Sequence, residues 1–286
     1  MEHLLVLDIG GSYIKYGLAD TSGRLLPDTV RQTPSHADDT PEEVLGALSA
    51  VLSEASSAGP VSAASISIAG PFDYDKGVSL MQHKFKALYG VSLCPPFEKA
   101  GVPVSFLHDS TAFILGEYTD GSLAGAARPC CVMLGTGLGF AFMREGKVCL
   151  NSVQTPAVRL WCSPYMDGIA EDYISTRAIL KGYGQDGVTV RDIAGRAREG
   201  DRKAQDVFRT MGGHLSALMT GVIKKLECDR FALGGQIAKS ADLLQLDLPV
   251  PWEVTKHTDD AALRGVCAHA LLGRGGCTQV MEEITL

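Results

Sequence analysis

The sequence predicts an α/β protein made of two copies of a mixed βββαβα unit facing each other across a cleft. Three observations carry this. Residues 3–30 run as strand, glycine-rich tip, strand, glycine turn, strand. The same order returns from residue 130, where CCVML, GTGLG, FAFM and REGK follow one another. The length, 286 residues at 45% apolar and 21% charged, suffices for one large domain or two smaller ones with real cores. A repeat of only two copies indicates a duplicated domain, not a solenoid. A cleft between such units is where a ligand usually sits.

In chain order, residues 4–8, 13–19 and 24–26 are predicted strands, turned at Gly10-Gly11 and Ser22-Gly23. Thr40-Pro41-Glu42-Glu43 combines a capping box with proline at the first helical position. Val44, Leu45, Leu48, Val51, Leu52 and Ala55 keep helical spacing until Gly59-Pro60. Residues 62–69 are a strand broken by Gly70-Pro71, residues 72–101 are irregular, 102–107 is a strand and 110–118 the helix behind it. Further on, 130–134, 140–143 and the segment from Val148 are strands. Helices are predicted at 168–180, at 190–198 with Thr189 as cap, and from Asp201 to Leu226. Residues 228–233 form a strand ending in Gly234-Gly235, then a helix runs through Ala238, and Asp259-Asp260 opens a last helix, 261–272. The expected domains are 1–119 and 120–286, hinged near 116–127, with the last helix, 260–272, packing back on the first.

A net charge of −7 and a pI of about 5.5 argue against a nucleic-acid footprint. No stretch approaches the ~20 apolar residues of a membrane span. A strand by Leu4 is read as leaving no room for a signal peptide or a preceding module. The eight cysteines show no C-x-x-C spacing and are expected as reduced thiols of a cytoplasmic protein, Cys130 and Cys131 in its core.

Glycine-rich turns let backbone N–H groups approach an oxyanion. The chain has three, at Gly10-Gly11-Ser12, at Gly135, Thr136, Gly137 and Gly139, and at Gly234-Gly235. Together they suit a long anion such as a nucleoside triphosphate. Asp8 beside the first tip suits Mg²⁺ held through water, since Mg²⁺ keeps several waters and takes few carboxylates. Taken singly, each tip reads as an ordinary hairpin turn. No G-x-x-x-x-G-K-[ST] is present, and Gly135-x-Gly137-x-Gly139 lies between strands where the dinucleotide fingerprint needs a helix.

Six ordered segments resemble the ROK family of sugar kinases and repressors, with its actin/hexokinase-like (ribonuclease H-like) fold. DIGGSYIKYGLAD at 8–20 and LGTGLG at 134–139 are similar to its phosphate motifs, and LGGQIA at 233–238 to its adenosine-side motif. AGPFD at 69–73, with Gly70 and Pro71, is similar to a sugar-side segment. LHDSTAFILGE at 107–117 resembles the segment that carries the catalytic aspartate, and EDYIS at 171–175 the stretch whose glutamate, here Glu171, binds sugar hydroxyls. The resemblance implies ATP- and Mg²⁺-dependent phosphoryl transfer to a sugar hydroxyl, with Asp109 accepting the proton. As a residue alone, Asp109 reads as the N-cap of its helix, a role compatible with catalysis because a helix N-terminus favours the ionised carboxylate. Lys15 either neutralises phosphate or reaches solvent. A homodimer is common in the family, and no stripe here establishes one.

Three departures stand out. The family's zinc segment, one His and three Cys, has no counterpart: residues 151–171 hold Cys162 and no His, so no zinc site is expected. Residues 151–161 replace the segment that brings two further sugar contacts. His108 stands where the family has Asn before the aspartate, and either bonds sugar or packs at a strand end. His83, Lys84 and Lys86 lie where sugar-side contacts are expected and suit an anionic or modified sugar, or are simply solvated. Two functions compete: a zinc-free sugar kinase of glucokinase type, and a sugar or nucleotide sensor without turnover. A DNA-binding repressor is disfavoured by the acidic charge and by a chain that begins at the first phosphate motif.

Overall fold

The computed structural model describes residues 2–82, 85–257 and 259–286. His83 and Lys84 lie outside the described residues. The first part of the chain contains β1 (His3–Ile9), β2 (Tyr13–Ala19), β3 (Arg31–Pro34), α1 (Pro41–Ala58), β4 (Val61–Ile68), the hairpin β5 (Phe72–Asp73) and β6 (Val78–Ser79), α2 (Pro95–Lys99), β7 (Val104–His108) and α3 (Asp109–Thr119). The second contains β8 (Pro129–Leu134), β9 (Leu138–Arg144), β10 (Lys147–Leu150), β11 (Pro164–Tyr165), β12 (Gly168–Ile169), α4 (Ala170–Tyr173), α5 (Thr176–Tyr183), α6 (Val190–Arg198), α7 (Arg202–Leu226), β13 (Arg230–Gly234), α8 (Ala241–Leu244) and β14 (Trp252–Val254). The chain closes with α9 (Ala261–Cys277) and β15 (Thr278–Val280).

The main sheets repeat one order, β3-β2-β1-β4-β7 and β10-β9-β8-β13-β14, with β15 added beyond β10. In each, three antiparallel strands come first and two parallel strands join the first of them. The duplication read from the sequence is therefore a duplication of topology.

β1 reads as an unbroken apolar run because both of its faces are buried. Leu5, Leu7 and Ile9 pack with Val44, Leu48 and Val51 of α1. Val6, on the opposite face, belongs to a separate core with Ala112 and Ile114 of α3 and Leu263 and Val266 of α9. That core continues into Cys131, Ala141 and Ala232 of the second sheet, so α3 and α9 lie between the two sheets. The helices approach closely enough to require glycine. A Cβ on Gly116 would stand 1.9 Å from the Ala261 carbonyl oxygen.

Several local expectations change. The third strand is 31–34, not 24–26. Asp20 turns the chain by accepting from Ser22 and Arg24 N–H groups, and Leu25 keeps only a bridge to Ala19. Residues 72–101 contain β5, β6 and α2 rather than irregular chain alone. The single helix expected at 168–180 is interrupted at Ile174 and Ser175, whose backbones are extended or irregular. There the chain is drawn to the second glycine tip, where the Thr176 N–H and Oγ donate to the Gly135 carbonyl at 3.0 and 2.8 Å. After β13 comes a 3-10 turn over 236–240 before α8. Asp109 is not the cap of α3: His108 takes that place and Asp109 is the first helical residue. α9 reaches Cys277, bent at Gly273 with φ 66°. Among the described residues the cysteines are free thiols, Cys94 and Cys162 half-buried and the others buried. Among the same residues no helix is long and apolar enough to cross a membrane.

Candidate functional site

The first tip closes on itself, with Gly10 N–H donating to the Tyr13 carbonyl at 2.9 Å. The carbonyls of Gly11 and Ser12 are taken by Ser35, through Oγ at 2.9 Å and N–H at 3.1 Å. Nothing crowds Gly11: a Cβ there would meet no atom within 4 Å. The second tip is braced from behind. Gly135 N–H donates to the Gly137 carbonyl at 3.1 Å, and Leu138 N–H donates to Glu171 Oε2 at 2.9 Å. A Cβ on Gly137 would fall 2.7 Å from the same Glu171 oxygen. Thr136 lies at the exposed turn between them. Gly139 comes next to the start of α3, where a Cβ would stand 3.3 Å from Ser110 Oγ.

Gly234 and Gly235 have a packing reason of their own. A Cβ on either would lie 2.3 Å from a neighbour, Phe113 Cζ for Gly234 and the Leu134 carbonyl oxygen for Gly235. The third glycine pair thus seats the end of β13 against the second tip and α3.

Asp8 and Asp109 hold the middle. Asp8 ends β1 and accepts a 2.8 Å bond from Ser67 Oγ on β4. Burial pushes its carboxyl up to about 6; the Ser67 bond opposes this, the Asp109 charge adds to it and Lys15 subtracts from it. The two carboxylates feel one another, although one lies near the end of β1 and the other opens α3. Asp109 Oδ1 accepts from Ser110 N–H at 2.6 Å and Ser110 Oγ at 3.2 Å, and lies 2.9 Å from His108 Nδ1. Behind them a 10 Å³ cavity is lined in part by His108, Thr111, Gln154, His269 and Arg274. Thr111 Oγ1 is buried there without a partner among the described residues.

Lys15 is half-buried. Its Nζ donates to the Asp259 carbonyl, while the Asp259 carboxylate pairs with Lys239 at 3.3 Å, so β2 is tied to residues of the C-terminal part of the chain. Gly70 and Pro71 lie beside His108 and Thr155: a Gly70 Cβ would stand 3.6 Å from His108 Cδ2 and from Thr155 Cγ2. The replacement segment 151–161 therefore does reach the predicted sugar side. Asn151 folds it by accepting from Val153 and Thr155 N–H groups at 3.1 Å. Gln154 then bonds Asp75 at 2.8 Å, and Arg274 also pairs with Asp75. Glu171 is engaged by protein on both oxygens, Oε1 at 3.0 Å from Arg177. Lys86 sits in a short 3-10 turn and takes no part in these contacts. Among the described residues no group of three or more His, Cys, Asp or Glu is placed to hold a metal ion.

Ser67, Tyr74, Gln154, Thr155, Thr176 and Arg274 escaped the sequence reading. Only Ser67 left a signal: serines alternate in SAASISIA, and Ser65 and Ser67 are both fully buried on the face toward β1 and α9.

The ROK family pattern matches residues 4–270. The chain belongs to the ROK family. A glucokinase of Streptomyces coelicolor is 24% identical over 267 residues, 83% of either chain. The crystal structure of a ROK family glucokinase from Streptomyces griseus, in complex with glucose and AMPPNP, superposes with a TM-score of 0.72 at 22% identity, covering 93% of this chain and 98% of that one. A ROK family transcriptional regulator, a homologue of the Escherichia coli MLC protein, gives 0.78 at 20% identity over 94% of this chain and 78% of that one. The fold is the actin/hexokinase-like one, and the family holds both sugar kinases and regulators.

Proposed function

We propose that the protein transfers the γ-phosphoryl group of ATP to a sugar hydroxyl. The observation that carries this reading is the pairing of Asp8 and Asp109, two interacting carboxylates beside the glycine tips of different lobes. Phosphoryl transfer needs positioning and charge stabilisation more than covalent help from the protein. Asp109 serves as the base that receives the hydroxyl proton. The tips at Gly10, Gly11 and Ser12 and at Gly135, Thr136, Gly137 and Gly139 provide the phosphate cradle, the Gly10 and Gly135 amides holding the turns closed, with Lys15 adding positive charge. Gly234 and Gly235 close the nucleotide side. Gly70, Pro71 and His108 line the sugar side with Thr155, and Glu171 acts there through the second tip.

Asp8 fits a hydrated Mg²⁺. It is a half-buried carboxylate on which burial outweighs the opposing effects of Ser67 and Lys15, so its ionised form gains from a further cation. When bound, the metal would neutralise charge on the phosphate oxygens.

The second reading, a sugar or nucleotide sensor, draws on one observation: Glu171 spends both oxygens on Leu138 and Arg177. ADP release measured over hexoses, amino sugars and β-glucosides separates the two. Sugar-stimulated ADP formation is expected. Calorimetric sugar binding with no ADP formed would replace the kinase by the sensor.

A further inference from the structure

Three polar atoms form a tight triangle at the start of α3. His108 Nδ1 lies 2.9 Å from Asp109 Oδ1. Ser110 N–H is 2.6 Å from that oxygen and 3.1 Å from that nitrogen. One N–H cannot satisfy two acceptors equally, and the shorter contact gives it to the carboxylate. With Nδ1 unprotonated, two lone pairs would then face each other at hydrogen-bond distance, which is repulsive. With a proton on Nδ1 the same contact becomes a charge-assisted hydrogen bond.

We infer that His108 is a positioning residue for Asp109: Nδ1 carries the proton and donates it to Oδ1, fixing the carboxylate at the mouth of the cleft. The surroundings suit that division of labour. The His108 side chain is 16% exposed and the Asp109 side chain 46% exposed. The imidazole is held by the Tyr74 ring, 6.1 Å away between centroids, and by the Gly70 backbone. The titratable and charged groups around it are Asp109, Tyr74, whose hydroxyl donates to the Ile68 carbonyl at 3.1 Å, and His269 and Arg274 across the small shared cavity. Asparagine in place of His108 would keep a donor at the same branch point from Cγ; alanine would not.

This inference rests on Asp109 being the proton acceptor, so its test has one arm that does not. Nitrogen-15 NMR of the ligand-free protein at neutral pH reads the His108 tautomer directly. A protonated Nδ1 is expected, and an Nε2–H tautomer with bare Nδ1 overturns the inference whatever the kinetics show. In steady-state turnover with ATP and a sugar that the panel identifies, His108→Ala is expected to lower kcat ~10- to 100-fold, the worth of a hydrogen bond to a charged group, with KM for ATP unchanged. His108→Asn is expected to recover most of that loss. Equal kcat in His108→Ala and wild type, or no recovery with Asn, also overturns it. Full turnover in Asp109→Asn would instead remove the base role of Asp109.

Discussion

Gly265 of α9 meets Ala112 of α3 backbone to backbone: a Cβ on Gly265 would stand 1.7 Å from the Ala112 carbonyl oxygen. Gly116 repeats the relationship against Ala261. The helix that follows Asp109 is thereby locked to a helix from the far end of the chain. Gly265→Ala should force the pair apart at a cost of about 3 kcal/mol or more, at the upper end for overpacking. A melting curve checks this. Gly213→Ala, where a Cβ would meet nothing within 4 Å, should leave the melting point unchanged or raise it slightly.

Asp109→Asn keeps the size and removes the proposed base. Turnover should fall about 10²- to 10⁴-fold, while calorimetric affinity for sugar and nucleotide and the melting point stay close to wild type. Coupled kinetics and calorimetry on one preparation decide it.

Asp8 and His269 make opposite pH contributions to stability. The Asp8 carboxyl is raised from 3.8 to about 6, mainly by burial. Between those values the folded protein binds more protons than the unfolded chain, so stability falls as pH rises through the window. His269, buried against Ser65 and near Arg274, is lowered from 6.5 to about 4, again mainly by burial. Here the unfolded chain binds more protons, so stability falls as pH drops through that window. Asp8→Asn should therefore stabilise the ligand-free protein increasingly above pH 4 and level off past pH 6, by on the order of 1–3 kcal/mol. His269→Gln should gain on wild type in the reverse direction, as pH falls from 6.5 to 4. Urea titrations at several pH values read both slopes, and parallel slopes for the two variants would contradict the assignment.

Glu171→Ala removes the acceptor of Leu138 N–H and the partner of Arg177. Loss of a hydrogen bond to a charged group should raise KM for ATP roughly tenfold. A rise confined to KM for sugar would mean that Glu171 leaves the tip and works on the sugar alone.

The helices with complete caps were legible because their signals are local. Thr40 and Thr189 form capping boxes, and Asp201 caps α7 through Ala204 N–H. The edge strand β3 was not: RQTP is polar, and its place is set by pairing with β2 rather than by its own pattern. The break after α4 was equally invisible, because a distant acceptor, the Gly135 carbonyl, competes with continuation of the helix.

The duplicated α/β architecture and the two glycine-rich hairpin tips were readable in the chain, since both rest on short-range glycine, polar and apolar patterns. The three-dimensional arrangement alone shows that Glu171 braces the second tip, that Lys15 reaches Asp259, that Thr155 lies beside Gly70 and Arg274 pairs with Asp75, and that His108 faces the Asp109 carboxylate. Most of those contacts join residues far apart in the chain, and no local pattern encodes which distant hydrogen-bond partner a polar side chain will meet once the two sheets have packed on α3 and α9.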